Sequence, residues 1–245
     1  MAAATETSST AGFTKEVAGR VYVWEIPVRL THWLNVACIV ILSFTGYYIG
    51  NPYIAVSNRE WYGPYFMGTM RFLHFATAYV FVGSLALRTY WAFFGGNKYA
   101  SWRALFPFLT AEGRRGLVQA FQYYTFQRRE PPTVLGHNAL AGFTYGIIVF
   151  LYFLQVFTGF ALYGMSHQDG FWWNMTSWVF QFVEPQRLRL LHHLIMWLLI
   201  AFALHHIYSA FLVDAEEANG LMSSIFSGWK FIVPERHRDE PEKKA

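Results

Sequence analysis

Residues Arg189–Leu212 read RLLHHLIMWLLIAFALHHIYSAFL. From Leu190 to Val213 there is no Asp, Glu, Lys or Arg, only four histidines at 192, 193, 205 and 206, in a run long enough to cross a bilayer as one helix. At about 100° per residue, only side chains near whole turns share a helix face. His192 and His206 meet that condition, because they lie about 3.9 turns apart, with roughly 40° between them and about 21 Å of rise. The other cross pairings fall on different faces. One helix therefore offers imidazoles to two sites stacked across the membrane. A polar ring in lipid is costly unless it finds a partner, and neutral imidazole is a common axial ligand of haem iron.

The composition agrees with a membrane setting: 54% of the 245 residues are hydrophobic, 20% aromatic and only 14% charged. The single cysteine, Cys38, excludes an internal disulfide framework and a cysteine-held metal cluster. No C-x-x-C-H run occurs, so a haem here would be held without thioether links, as a b type. The net charge of +4 is spread over loops and tails, which makes it a topology signal and not a nucleic-acid patch.

Met1–Arg20 is Ser/Thr-rich and lacks the apolar stretch of a secretory signal, so residues 1–20 read as a flexible cytoplasmic arm. Residues 21–233 read as one four-helix transmembrane domain with spans at about 30–49, 71–94, 139–163 and 190–212, and 234–245 as a charged tail. Glu25-Ile26-Pro27 ends an interfacial lead-in, and Gly95 and Gly96 stop the second span. Three pieces, WRALFPFL, LVQAFQYYTF and LMSSIFSGWKFI, look like amphipathic helices lying on the membrane surface. Lys98, Arg103, Arg114, Arg115, Arg128 and Arg129 crowd the connection between the second and third spans, so the positive-inside rule places both termini in the cytoplasm. The fold expected is an all-α membrane protein, a four-transmembrane-helix diheme bundle with both termini cytoplasmic and interfacial amphipathic helices.

In that topology His32, at the start of the first span, lies at the depth of His206, and His74, at the start of the second, lies at the depth of His192. The expected pairs are His32 with His206 on the cytoplasmic side and His74 with His192 on the far side, each clasping one haem. Stacked in this way, two centres make a wire across most of a hydrocarbon core of about 30 Å. A lone histidine at a helix end is more often interfacial than a ligand, and it is the joint match of depths that favours ligation. His193 and His205 read as packing or supporting residues, and His137, His167 and His237 as loop residues. Arg29 and Arg71 stand within a turn of candidate ligands, where they would either pair with haem propionates or face lipid headgroups. Phe44-Thr45-Gly46-Tyr47 in the first span is echoed by Phe157-Thr158-Gly159-Phe160 in the third. Gly46 and Gly159 would let a flat macrocycle or a neighbouring backbone approach closely, though plain helix packing explains either one alone.

Several segments together resemble the cytochrome b subunit of membrane-bound nickel–iron uptake hydrogenases. They are Pro27-Val28-Arg29-Leu30-Thr31-His32-Trp33, Met67-Gly68-Thr69-Met70-Arg71-Phe72-Leu73-His74-Phe75, Gly136-His137-Asn138, His192-His193-Leu194-Ile195-Met196-Trp197 and His206-Ile207-Tyr208. The resemblance runs from about Val21 to Ile232. It implies two non-covalent b haems in the bacterial inner membrane, with His74 and His192 holding the proximal one and His32 and His206 the distal one. It also implies electrons arriving from the iron–sulfur small subunit of a periplasmic hydrogenase, whose large subunit carries the nickel–iron centre, and leaving to ubiquinone or menaquinone. Two departures from the family pattern stand out: the His-x-Trp-His run of the last helix is Arg189-Leu190-Leu191-His192 here, and Ile195 and His205 replace small residues. The related gamma subunit of membrane formate dehydrogenase has an asparagine before its third helix at the quinone site, so Asn138 is either a quinone contact or a helix cap. Two further readings remain: the anchor of a formate dehydrogenase or other periplasmic reductase, and a haem-free scaffold or transporter whose histidines bind metal or protons. On every redox reading the chain is an electron conduit with no substrate chemistry of its own.

Overall fold

A computed structural model describes residues 19–52, 65–129 and 138–231. Among the described residues four helices are long and apolar enough to span a membrane. They are α1 (Ile26–Gly50), α2 (Phe66–Tyr90, prolonged by a π turn over Trp91–Gly95), α5 (Ala139–Gly164) and α7 (Pro185–Glu217). α1, α2 with its π turn, and α7 run past both ends of the apolar stretches that mark them in the sequence, while α5 matches its stretch to within one residue. Pro27 and Pro185 sit in first turns, where a missing N–H costs nothing. α7, with 33 residues, is about 50 Å long and projects beyond a hydrocarbon core of about 30 Å. Large apolar side chains cover the outside of these helices, with Phe44 57%, Phe150 64% and Leu204 66% exposed. Surfaces of that kind are stable against lipid and would not be against water.

The interior is a pair of hairpins. α1 packs along α2 and α5 along α7, with α1 meeting α7 between them. Ile148, Ile195 and Leu199 form the apolar seam between α5 and α7. The Ser84 hydroxyl donates to the Thr31 carbonyl at 3.5 Å, next to His32, and so ties α2 to α1.

One end of the bundle carries a cap that no local pattern in the sequence announces. Strand β1 (Arg20–Tyr22) pairs antiparallel with β2 (Trp229–Phe231), Val21 opposite Lys230, so both ends of the described chain lie on the same side of the bundle. The piece expected as one interfacial helix, LMSSIFSGWKFI, is helix only over α8 (Leu221–Ser227) and then turns into β2. Gly228 makes that turn with φ 88°, and its carbonyl accepts from the backbone N–H of Val23 and Trp24. Trp24 donates its indole N–H to Ser224 Oγ at 3.0 Å, and Arg29 Nη1 donates to the Phe226 carbonyl. Glu25 Oε2 accepts from Trp91 Nε1 at 2.8 Å and from the Asn97 N–H at 3.0 Å, stapling the end of α2 to the start of α1. Lys230 is 1% exposed; burial pushes its pKa down, while Glu217 and Asp214 at the end of α7 oppose that shift.

The basic connection between α2 and α5 folds as α3 (Trp102–Leu105), a 3-10 turn over Pro107–Leu109 and α4 (Ala111–Tyr124), whose N-cap Thr110 accepts from Gly113 N at 3.0 Å. The first expected surface helix is therefore broken at Pro107, and the second begins earlier than its apolar residues indicate. α3 lies against α5 because Gly146 has no side chain: a Cβ there would meet the Leu105 carbonyl at 2.6 Å. At the opposite end of the bundle α6 (Phe171–Thr176) and a 3-10 turn form an aromatic rim, with Trp172 stacked on Phe160 at 3.8 Å and donating to the Tyr79 hydroxyl at 2.7 Å.

Candidate functional site

Two levels of the bundle gather imidazoles. At the capped end, His32 from the second turn of α1 faces His206 from the last third of α7, with ring centroids 6.3 Å apart and planes at 59°. Metal–imidazole bonds of about 2 Å would set two ring centres about 6 Å apart with one metal between them, and the His32–His206 spacing leaves room for that. Tyr145 on α5 places its hydroxyl 3.2 Å from His206 Nδ1, and Phe202 stacks on the same ring at 5.6 Å. His32 Nδ1 is buried with no hydrogen-bond partner among the described residues, as is the Asn35 amide oxygen one turn along α1.

At the other end His74 of α2 lies against α1 and His192 of α7 against α5, the two rings near enough for their charges to interact. Thr45 Oγ1 lies 2.9 Å from His74 Nδ1, and Thr158 Oγ1 lies 2.9 Å from His192 Nδ1. Gln155 Nε2 is 3.3 Å from His192 Nε2, and its amide oxygen is buried without a partner among the described residues. A Cβ on Gly46 would meet His74 Cε1 at 3.0 Å, and one on Gly159 would meet His192 Cε1 at 3.1 Å. In this structure each of the two glycines gives room to the ring of an imidazole. Gly50 makes room in the same way for the ring of His193, whose Nδ1 bonds the Arg189 carbonyl at 2.9 Å.

The remaining sequence candidates are dispersed. Arg29 bonds Phe226 of the cap, and its Nε is buried without a partner among the described residues. Arg71, one turn outward from His74, is exposed. Asn138 caps α5, its Oδ1 accepting from Ala141 N at 2.8 Å. His205 is exposed and bonded to Ser209 at 2.8 Å, and His167 stacks on Tyr163. His137 and His237 lie outside the described residues. Among the described residues no three His, Cys, Asp or Glu side chains converge, so what the bundle offers is imidazole pairs and not the four-ligand set of a structural zinc site.

Thr45, Thr158, Tyr145 and Gln155 escape a reading based on ligand types alone. The signal for the first three is an internal repeat, which leaves Gln155 unannounced because Leu42 stands opposite it. The step along the chain from Thr45-Gly46 to Thr158-Gly159 also carries Thr31-His32 to Thr144-Tyr145. The step from Arg71-Phe72-Leu73-His74 to Arg189-Leu190-Leu191-His192 carries Arg88 to His206. The two hairpins are thus versions of one unit, matched at the His74/His192 level and different at the other, where Tyr145 stands in the place of His32 and Arg88 in the place of His206.

The chain matches the family model described as prokaryotic cytochrome b561 over residues 23–228. It is similar to a protein from Cupriavidus necator named probable Ni/Fe-hydrogenase B-type cytochrome subunit, 36% identical over 214 residues that span 85% of this chain and 86% of that one. A protein of the same name from Rhizobium leguminosarum bv. viciae is 37% identical, over 85% of this chain and 87% of its own. The probable Ni/Fe-hydrogenase 1 B-type cytochrome subunit of Escherichia coli K12 is 33% identical, over 85% and 90%.

Proposed function

The chain belongs to the prokaryotic cytochrome b561 family, and from that premise we propose that it is the membrane electron-transfer subunit of a periplasmic nickel–iron hydrogenase, carrying electrons from the enzyme's iron–sulfur small subunit to quinone. A b-type cytochrome implies haem b, and we read two haems in this one. The observation that carries the reading is the His32–His206 ring pair at 6.3 Å, with a second imidazole pair at the far end of the same helix.

When bound, each haem supplies one-electron chemistry, and the protein's part is to hold, orient and bury it. His74 and His192 hold the group nearer the hydrogenase, and His32 and His206 the group nearer quinone. Arg71 and Arg29 would meet propionates, one at each end, and support for Arg29 is its Nε–H, buried without a partner among the described residues. Asn138, with its oxygen engaged in the α5 cap, keeps its amide N–H groups for ubiquinone or menaquinone. The basic α3–α4 connection and the β1–β2 cap face the cytoplasm of a bacterial inner membrane, so both termini do as well. The small subunit, bound to the large nickel–iron subunit, docks on the aromatic rim around α6.

The test is to purify the complex from its native membrane and add hydrogen under anaerobic conditions. We expect the alpha band of reduced b haem to rise and added quinone to be reduced. If the band responds to formate and not to hydrogen, the partner is a formate dehydrogenase; if no b haem is present, the electron-transfer reading fails.

A further inference from the structure

The pattern of donors around the His74/His192 level goes beyond ligand identity. The Thr45 hydroxyl oxygen lies 2.7 Å from the Ile41 carbonyl oxygen, and the Thr158 hydroxyl oxygen 2.9 Å from the Leu154 carbonyl oxygen. A carbonyl can only accept, so the single hydroxyl proton of each threonine is committed to its own helix. Toward the imidazole 2.9 Å away each hydroxyl can then only accept, which places the imidazole proton on Nδ1 of both His74 and His192. Nε2 is left with its lone pair on both rings. Gln155 Nε2 lies 3.3 Å from His192 Nε2, over the lone pair that iron would take, so its amide has to swing aside for haem to bind there.

Resting on the diheme reading above, we propose that Thr45 and Thr158 are a matched pair of positioning residues. They fix both ligands of one haem as the Nδ1-protonated tautomer with Nε2 toward the iron, and by accepting from Nδ1–H they lower that haem's potential. An acceptor on the outer nitrogen makes an imidazole more basic and favours the oxidised metal. The other level is built differently: His32 Nδ1 has no partner among the described residues, and His206 Nδ1 meets the Tyr145 phenol at 3.2 Å. Two close aliphatic hydroxyls on one pair therefore bias electron flow away from the His74/His192 level and toward the His32/His206 level. The same construction occurs in both hairpins, on corresponding Thr-Gly pairs, with each glycine making room for the ring that its threonine orients.

The experiment is a potentiometric titration of the intact complex, followed in the alpha band and by electron paramagnetic resonance, for Thr45→Val, Thr158→Val and the double variant, with Thr→Ser at each site. Loss of one acceptor is expected to change the oxidised-to-reduced ratio of one haem by up to about tenfold, equivalent to about 59 mV upward for a one-electron couple. The double variant moves further, serine restores the wild-type value, and the other haem is unchanged. A valine variant that loses the haem while serine keeps it supports positioning equally. Unchanged potentials and spectra with haem retained would overturn the proposal, as would haem loss in the serine variants. His74→Ala is run alongside: if it keeps both haems, the ligand reading has failed and the threonine proposal falls with it, whereas loss of one haem in His74→Ala with unchanged potentials in the valine variants overturns the threonine proposal alone.

Discussion

Replacing His74 or His192 by alanine removes one b haem and leaves the other, and replacing His32 or His206 removes the complementary one. The expectation follows from the two levels sharing no imidazole: His192 and His206 are fourteen residues apart on α7, about 21 Å along the axis. Their partners come from different helices, α2 for His192 and α1 for His206. Removing one ligand therefore leaves the other pair's geometry intact. Haem content falls by half in each single variant and is abolished when one histidine is removed from each level. Hydrogen-driven quinone reduction falls to background in all four, because a wire cut at either level does not conduct. Reduced-minus-oxidised spectra of the four variants, sorted into two identical pairs, would carry the assignment. Loss of both haems from each single variant would contradict the independence of the levels.

The second large effect comes from glycine. Gly159→Val and Gly46→Val put side-chain carbon where the rings of His192 and His74 already lie at 3.0 to 3.1 Å from a bare Cβ. Overpacking of that kind costs about 1–3 kcal/mol, roughly a tenfold to hundredfold loss of affinity at about 1.4 kcal/mol per factor of ten. That loss falls on one haem only, because the displaced ring is one of its ligands. Gly83 on α2 is the control, since a Cβ there meets nothing within 4 Å. Gly83→Ala should keep both haems and, if anything, stabilise the helix by about 0.5–1 kcal/mol. Haem retention of the three variants after purification is the readout, and equal retention in all of them would remove the glycines from the site.

The four spans are legible in the sequence because each is a long apolar run, and the pairing of depths follows from the alternating direction of the spans together with the helix rise between His192 and His206. His32 and His206 could be matched across almost the whole chain in this way. The cap could not. β1 and β2 are three residues each, paired from opposite ends of the described chain, and neither shows a strand pattern; only the left-handed turn at Gly228 separates β2 from the helix before it. Threonines were hidden for a different reason. In a membrane helix a Thr hydroxyl bonded to its own backbone is ordinary, and its second use as an acceptor appears only when a neighbouring helix brings an imidazole to it. The Phe-Thr-Gly echo marks the two positions where a histidine ring from the paired helix comes to lie against the backbone.

The central claim is that the chain holds two b haems, each between a pair of imidazoles. A pyridine haemochrome assay against protein concentration, made on the intact complex as isolated under anaerobic conditions, tests it most directly. The account predicts two haems b per chain, both low-spin in the oxidised state; a ratio of one or none, or a high-spin centre, would contradict it.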